Sequence, residues 1–234
     1  MNDAELKKLI DSYEPNEEVL KTLSTVSLVG TVGGVAVGKT TTMWAAISSK
    51  SDPKMKLVLS DVSRQIRLGE VDGRDYYFLH KPDLIKGLQD GLYVQAALGL
   101  SGDIYATSIN SYPDATEIGT MAIWYYALDS FRKLPFKRLD VACIVPQSFE
   151  LWQAWIKHQA NASNWTDEHL KVRHKEAMQS FEYSLADKDM IFILNDSPDA
   201  AGERLKQVAR GESPDKEATA RELAQSYLQK LIST

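Results

Sequence analysis

Two stretches in the first third of this chain carry residues suited to phosphate. The first is Gly33-Gly34-Val35-Ala36-Val37-Gly38-Lys39-Thr40, followed by Thr41, and it fits the spacing G-x-x-x-x-G-K-[ST]. Glycines so placed let backbone N–H groups turn toward oxygen atoms, the lysine adds charge, and the threonine hydroxyl can coordinate Mg²⁺. The second stretch runs from Ser60 to Phe78 and presents Ser60, Arg64, Arg67 and Tyr76. Arginine is always charged and can bond two oxygens at once, so these residues offer a seat to a second phosphate. A chain that holds two phosphates end to end is most simply a phosphoryl-transfer enzyme.

These side chains need elements to position them. Residues 26–32 form a largely apolar, β-branched run that predicts a buried strand. Residues 40–50 lack Gly and Pro and predict a helix, so the glycine-rich turn lies between strand and helix. A helix starting near Lys39 turns its positive dipole end toward bound phosphate. Lys39 then reaches the β- and γ-phosphates. Arg64 and Arg67, three residues apart, can converge on one phosphate where the chain curls.

The second stretch resembles the monophosphate-binding signature of guanylate kinases, S-x-x-x-R-x-x-R-x-G-E-x-x-G-x-D-Y-x-F, matched at Ser60, Arg64, Arg67, Gly69, Glu70, Gly73, Asp75, Tyr76 and Phe78. The resemblance continues in order. Gly102-Asp103-Ile104-Tyr105-Ala106-Thr107-Ser108 is similar to the family's G-N-Y-Y-G-T-S loop, Val145-Pro146-Gln147-Ser148-Phe149-Glu150-Leu151 to its P-P-S-x-E-x-L step, and Leu194-Asn195-Asp196 to its late strand. It implies a P-loop nucleoside-monophosphate-kinase fold: an α/β core with a parallel sheet flanked by helices, a small mixed-β insert for the monophosphate, and a helical lid. It also implies ATP on residues 33–41 and Asn195, with Mg²⁺ on Thr40. The monophosphate falls among Ser60, Arg64, Arg67, Glu70, Tyr76, Gln95, Tyr105 and Thr107. Lys39, Arg64 and the lid's Arg173 stabilise the transferred charge.

Three departures set this chain apart from the family pattern. Gln95 stands where the family places a guanine-reading glutamate. Met121-Ala122-Ile123-Trp124 replaces its acidic D-x-D strand, leaving Asp61, Asp103 and Asp129 as other acids for the metal, among which the sequence does not choose. Ala36 replaces a glycine of the loop. A carboxylate accepts two hydrogen bonds from guanine, whereas an amide accepts at one end and donates at the other. Phosphate chemistry is kept and base recognition is rewritten.

The expected organisation is an N-terminal helical extension over 1–24, a core over 25–60 and 111–210 with a lid near 149–188, a monophosphate-binding insert over 61–110, and a C-terminal helix over 211–234. Further core strands are expected at 56–60, 119–127, 139–145 and 190–194. Thr166 can cap a lid helix with an acidic first turn. Lys+Arg 27 against Asp+Glu 32 gives −5 with no basic stripe, which argues against nucleic acid as a partner. The single cysteine, Cys143, excludes an intrachain disulfide and reads as a core thiol. No apolar run approaches a membrane span and no signal peptide opens the chain, so small-molecule nucleotides are the expected partners and the cytoplasm the expected compartment. Oligomeric state stays open. The alternative to an enzyme is a non-catalytic guanylate-kinase-like module that binds a protein in the substrate cleft, although this chain keeps Lys39 and Thr40.

Overall fold

The structure, a computed structural model, describes residues 2–67, 69–99 and 101–233. Met1, Leu68, Leu100 and Thr234, which fall in the expected extension, insert and C-terminal helix, lie outside the described residues. In chain order the elements are α1 (Asp3–Asp11), α2 (Glu17–Leu23), β1 (Ser27–Val32), α3 (Lys39–Ser48), β2 (Met55–Leu57), β3 (Asp61–Val62), β4 (Tyr77–Phe78), α4 (Lys81–Gln89), β5 (Tyr93–Leu98) and β6 (Ile104–Ser108). There follow β7 (Ile118–Ala122), α5 (Leu128–Arg132), β8 (Arg138–Pro146), α6 (Phe149–Ala162), α7 (Asp167–Ala186), β9 (Ile191–Asn195), α8 (Pro198–Arg210) and α9 (Glu217–Ile232).

The chain divides into two compact units: one of Met1–Ser27, Lys56–Gly119 and Ser130–Arg138, the other of Leu28–Met55, Thr120–Asp129 and Leu139–Thr234. A five-stranded parallel sheet has the order β2-β7-β1-β8-β9. Its β1 is buried almost throughout, as the β-branched run requires of a strand covered on both faces. The α3 and α8 helices pack closely because Gly202 brings α8 onto Ala45 and Ala46; a Cβ there would lie 2.8 Å from either residue.

A second sheet has the order β4-β3-β6-β5. In it β3 runs parallel to β4 and antiparallel to β6, and β5 and β6 form an antiparallel pair. One face packs on Leu6, Leu84 and Leu88 through Tyr93, Ile104 and Ala106. The N-terminal helices belong to this unit: Asn2 closes a capping box on α1, and the Tyr13 hydroxyl donates to the Tyr93 carbonyl at 2.5 Å.

Two strand expectations are corrected. The strand expected over 56–60 is Met55–Leu57, because residues 58–60 carry the chain from the first sheet to the second, where Asp61 begins β3. The strand expected over 119–127 ends at Ala122. Beyond it Tyr125–Ala127 tightens into a 3₁₀ turn, Tyr125 is drawn onto Gln179 of α7, and fully buried Leu128 starts α5. Within the insert residues 81–89 form helix α4, which starts with Pro82 in its first turn and buries Leu84, Gly87 and Leu88 at helical spacing.

Candidate active site

The turn after β1 is set by backbone that few residues accept. Gly38 has φ +95° and caps α3, and a Cβ on it would lie 2.2 Å from Asn195 Nδ2. Ala36 sits at φ +57°, a left-handed conformation unfavourable for a side chain. With no side chain capping α3, its first N–H groups are left open to an anion. Three side chains hold the loop carbonyls. Lys39 Nζ donates to Gly33 O and Gly34 O at 2.7 Å each, Trp152 Nε1 to Val35 O at 2.9 Å, and Asn195 Nδ2 to Val37 O at 2.9 Å. Thr40 and Thr41 are exposed in the first turn of α3.

Burial pulls the Lys39 ammonium down to about 8, with Cys143, Arg173 and Glu176 acting on it through charge. The same burial pushes the Cys143 thiol up to about 12, so it stays a neutral core group. Arg173 Nη1 bonds Glu176 Oε2 at 2.8 Å, and its guanidinium lies 5.7 Å from the Trp165 ring centroid. Arg173 Nε is buried and has no hydrogen-bond partner among the described residues. Thr166 caps α7 onto His169 N, as its sequence predicts. Trp152 of α6 is fully buried against Phe181 and Tyr227. Its contact with Val35, and the placement of Glu176 beside Lys39, carry no local sequence signal.

In the other unit Arg64 is 9% exposed and clamped in place. Its Nη1 and Nη2 each bond a Glu70 oxygen at 2.6 Å, Nη1 also reaches Gln65 O, and Nε donates to the Tyr105 hydroxyl at 3.1 Å. The guanidinium lies over the Tyr76 and Phe78 rings at 5.1 and 5.4 Å. Burial works against the Arg64 charge, yet the bonds to Glu70 and Tyr105 leave its affinity for the proton raised. Burial likewise opposes the Glu70 charge, but Arg64 and the Arg67 N–H hold its carboxyl below the ordinary range. Arg67 is exposed, its N–H on Glu70 Oε2 at 2.9 Å. Glu70 thus ties both arginine positions into one turn.

Beside this cluster Gln95 Nε2 donates to Thr107 Oγ1 at 2.8 Å, and Thr107 Oγ1 meets Ser60 Oγ at 2.9 Å. Gln95 and Thr107 face each other across β5 and β6. Of the alternative acids, Asp103 accepts from Ser63 and Ser101, Asp129 from the Tyr183 hydroxyl, and Asp61 is buried with its carboxyl pushed up to about 6 by burial. Among the described residues no group of three or more His, Cys, Asp or Glu could hold a metal ion.

A family model described as guanylate kinase matches residues 24–212. The chain belongs to the guanylate kinase family. It is a P-loop phosphotransferase of the nucleoside monophosphate kinase class. A guanylate kinase of Rubrobacter xylanophilus is 26% identical over 183 residues, 78% of this chain and 93% of that protein. One from Schizosaccharomyces pombe is 25% identical over 179 residues, 75% and 86% respectively. Among solved structures, the guanylate kinase of Anaplasma phagocytophilum has a TM-score of 0.57 at 19% identity, covering 86% of this chain and 94% of that one, a likeness of fold. No helix among the described residues is long and apolar enough to cross a membrane.

Proposed function

We propose that the chain transfers the γ-phosphoryl group of ATP to a nucleoside or deoxynucleoside monophosphate, with base recognition altered from that of a guanine-specific enzyme. The observation that carries this reading is the unpartnered, buried N–H of Arg173 together with Lys39 held over the glycine-rich loop. A buried donor without an acceptor is costly, and an anion relieves it. ATP phosphates lie on residues 33–41, exchanging with the Gly33 and Gly34 carbonyls for Lys39. Asn195 supports that seat through Val37.

The acceptor phosphate binds among Ser60, Arg64, Arg67, Tyr76 and Tyr105. Four of the five Arg64 N–H donors are already engaged, so Arg64 offers its remaining one from a fixed position while exposed Arg67 supplies a mobile charge. The acceptor phosphate is already ionised, so no strong base is needed; positioning and fixed charge supply the rate. Lys39 and Arg173 offset charge on the transferred group. Mg²⁺ keeps several waters and takes phosphate oxygens with one or two protein oxygens, a donor set that exposed Thr40 fits. When bound it would offset negative charge on the ATP phosphates. Gln95, held through Thr107, meets the base as an amide, so two adjacent donors of guanine are poorly matched. The cytoplasm, where ATP and nucleotides are plentiful, is the compartment we assign.

The test is calorimetric titration of ATP and of GMP, separately, into Lys39→Ala and Arg64→Ala. Lys39→Ala should weaken ATP and spare GMP, and Arg64→Ala the reverse. Equal loss of both ligands in either variant would rule out two phosphate sites.

A further inference from the structure

We propose that Trp152 is a positioning residue for ATP phosphate: its indole N–H holds the peptide between Val35 and Ala36 in the orientation that phosphate binding needs. This rests on the ATP reading above. The indole Nε1 donates to Val35 O at 2.9 Å from a ring that is fully buried. In a trans peptide the carbonyl and the following N–H point in opposite directions. Fixing Val35 O toward Trp152 therefore fixes the Ala36 N–H away from it, as one donor of the phosphate cradle.

That peptide is the one in the loop with a reason to turn. Ala36 is held at φ +57°, where its Cβ crowds the following carbonyl. A flip of the peptide would relieve the crowding and withdraw the N–H. The Trp152 bond opposes the flip, so the tether and the strained alanine are a matched pair. The tether is itself anchored. The Trp152 ring lies nearly parallel to Tyr227 of α9, with centroids 6.0 Å apart, and the Tyr227 hydroxyl donates to Pro146 O at 2.9 Å. Ala177 of α7 closes the adjoining side of the loop: a Cβ on Gly34 would lie 2.7 Å from it. Asn195 holds the next peptide but one through Val37 O. Trp152 differs from Asn195 in acting where the backbone is strained.

Trp152→Phe keeps the ring against Tyr227 and Phe181 and removes only the donor. In calorimetric titrations it should weaken ATP by about five- to tenfold, the order of one lost hydrogen bond, and leave GMP affinity unchanged. A purely structural role would weaken both or neither. In an Ala36→Gly background, where the left-handed backbone carries no penalty, the same change should cost less than about twofold. Unchanged ATP affinity in folded Trp152→Phe, equal loss of both nucleotides, or an equal loss with Gly at 36 would each overturn the inference. Wild-type chain that fails to bind ATP at all would overturn the function reading first and this one with it, whereas wild-type binding with an indifferent variant overturns this one alone.

Should Trp152→Phe fail to fold, the wild-type chain labelled with ¹⁵N at its indoles decides. Trp152 is the one buried tryptophan of five, and its signal should be the most persistent in D₂O. It should shift on adding ATP and not on adding GMP. A persistent indole signal indifferent to ATP contradicts the tether.

Discussion

Lys39 gives the account a pH signature that can be worked out in advance. Its ammonium is drawn by burial from 10.5 to about 8. The charged form is the one that binds phosphate, so affinity for ATP should fall as pH rises through 8. With a midpoint of 8, about nine-tenths of the lysine is charged at pH 7 and about one-tenth at pH 9. The dissociation constant for ATP should therefore rise about tenfold between these two values. Phosphate groups have already completed their second ionisation near pH 6 and contribute little to this change. Lys39→Arg supplies the control, because a guanidinium keeps its charge across the whole window. It should bind ATP less well at pH 7 for want of the right shape, and its affinity should be flat from pH 7 to 9. The assay is calorimetric titration of ATP in buffers matched for ionic strength and heat of ionisation. A wild-type constant that does not move between pH 7 and 9, or an arginine variant with the same slope as wild type, would refute the assignment of Lys39 as a buried, phosphate-facing charge.

Other outcomes follow from the same geometry. Lys39→Ala should lower turnover by about 10²-fold or more while the fold survives, as steady-state rates beside circular dichroism will show. Arg64→Ala should weaken GMP more than Arg67→Ala does and also lower the melting temperature, since it strands part-buried Glu70, whereas exposed Arg67 changes affinity alone. Asp61 has a folded-state carboxyl near 6 against 3.8 unfolded, so its contribution to stability is present below about pH 4 and lost as pH rises through 6. Urea unfolding from pH 4 to 8 should show Asp61→Asn gaining on wild type across that window by about 3 kcal/mol at most, and parallel curves for the two would exclude a buried, unfavourable charge. Specificity constants for GMP, AMP, dTMP and dCMP and their ribo or deoxy counterparts should show only weak preference for GMP, because Gln95 leaves one guanine donor unmatched; a steep preference would mean that another group supplies the carboxylate.

Much of the candidate site's geometry could be read from the residues because its contacts are local. The loop from Gly33 to Thr40 and the signature around Arg64 each lie within one short segment of sequence, so residues that meet there are near neighbours in the chain. What the sequence hid was long-range. Nothing in the sequence around Trp152 points to the loop; only the folded chain shows that it reaches Val35, 117 positions away. Glu70 matched a motif without revealing that it occupies the Arg64 fork, which changes Arg64 from a free clamp into a fixed post. The strand signal at residues 123–127 was aromatic and β-favouring, yet Tyr125 finds its partner on α7 and the chain leaves the sheet. Pattern reads the face a residue prefers, whereas tertiary partners decide where an element stops. The sequence shows Ala36 only as a replaced glycine, and the structure places that replacement at a left-handed, strained backbone position.

The central claim is tested most directly by measuring ADP release from ATP and Mg²⁺ in the presence and absence of each nucleoside and deoxynucleoside monophosphate, with Lys39→Ala alongside. The account predicts release that depends on at least one monophosphate, matches the diphosphate formed mole for mole, and falls by about 10²-fold in the variant. Contradiction would be a chain that binds ATP and monophosphate yet releases no ADP above the ATP-only rate with any acceptor, which would mark the site as a binding module instead.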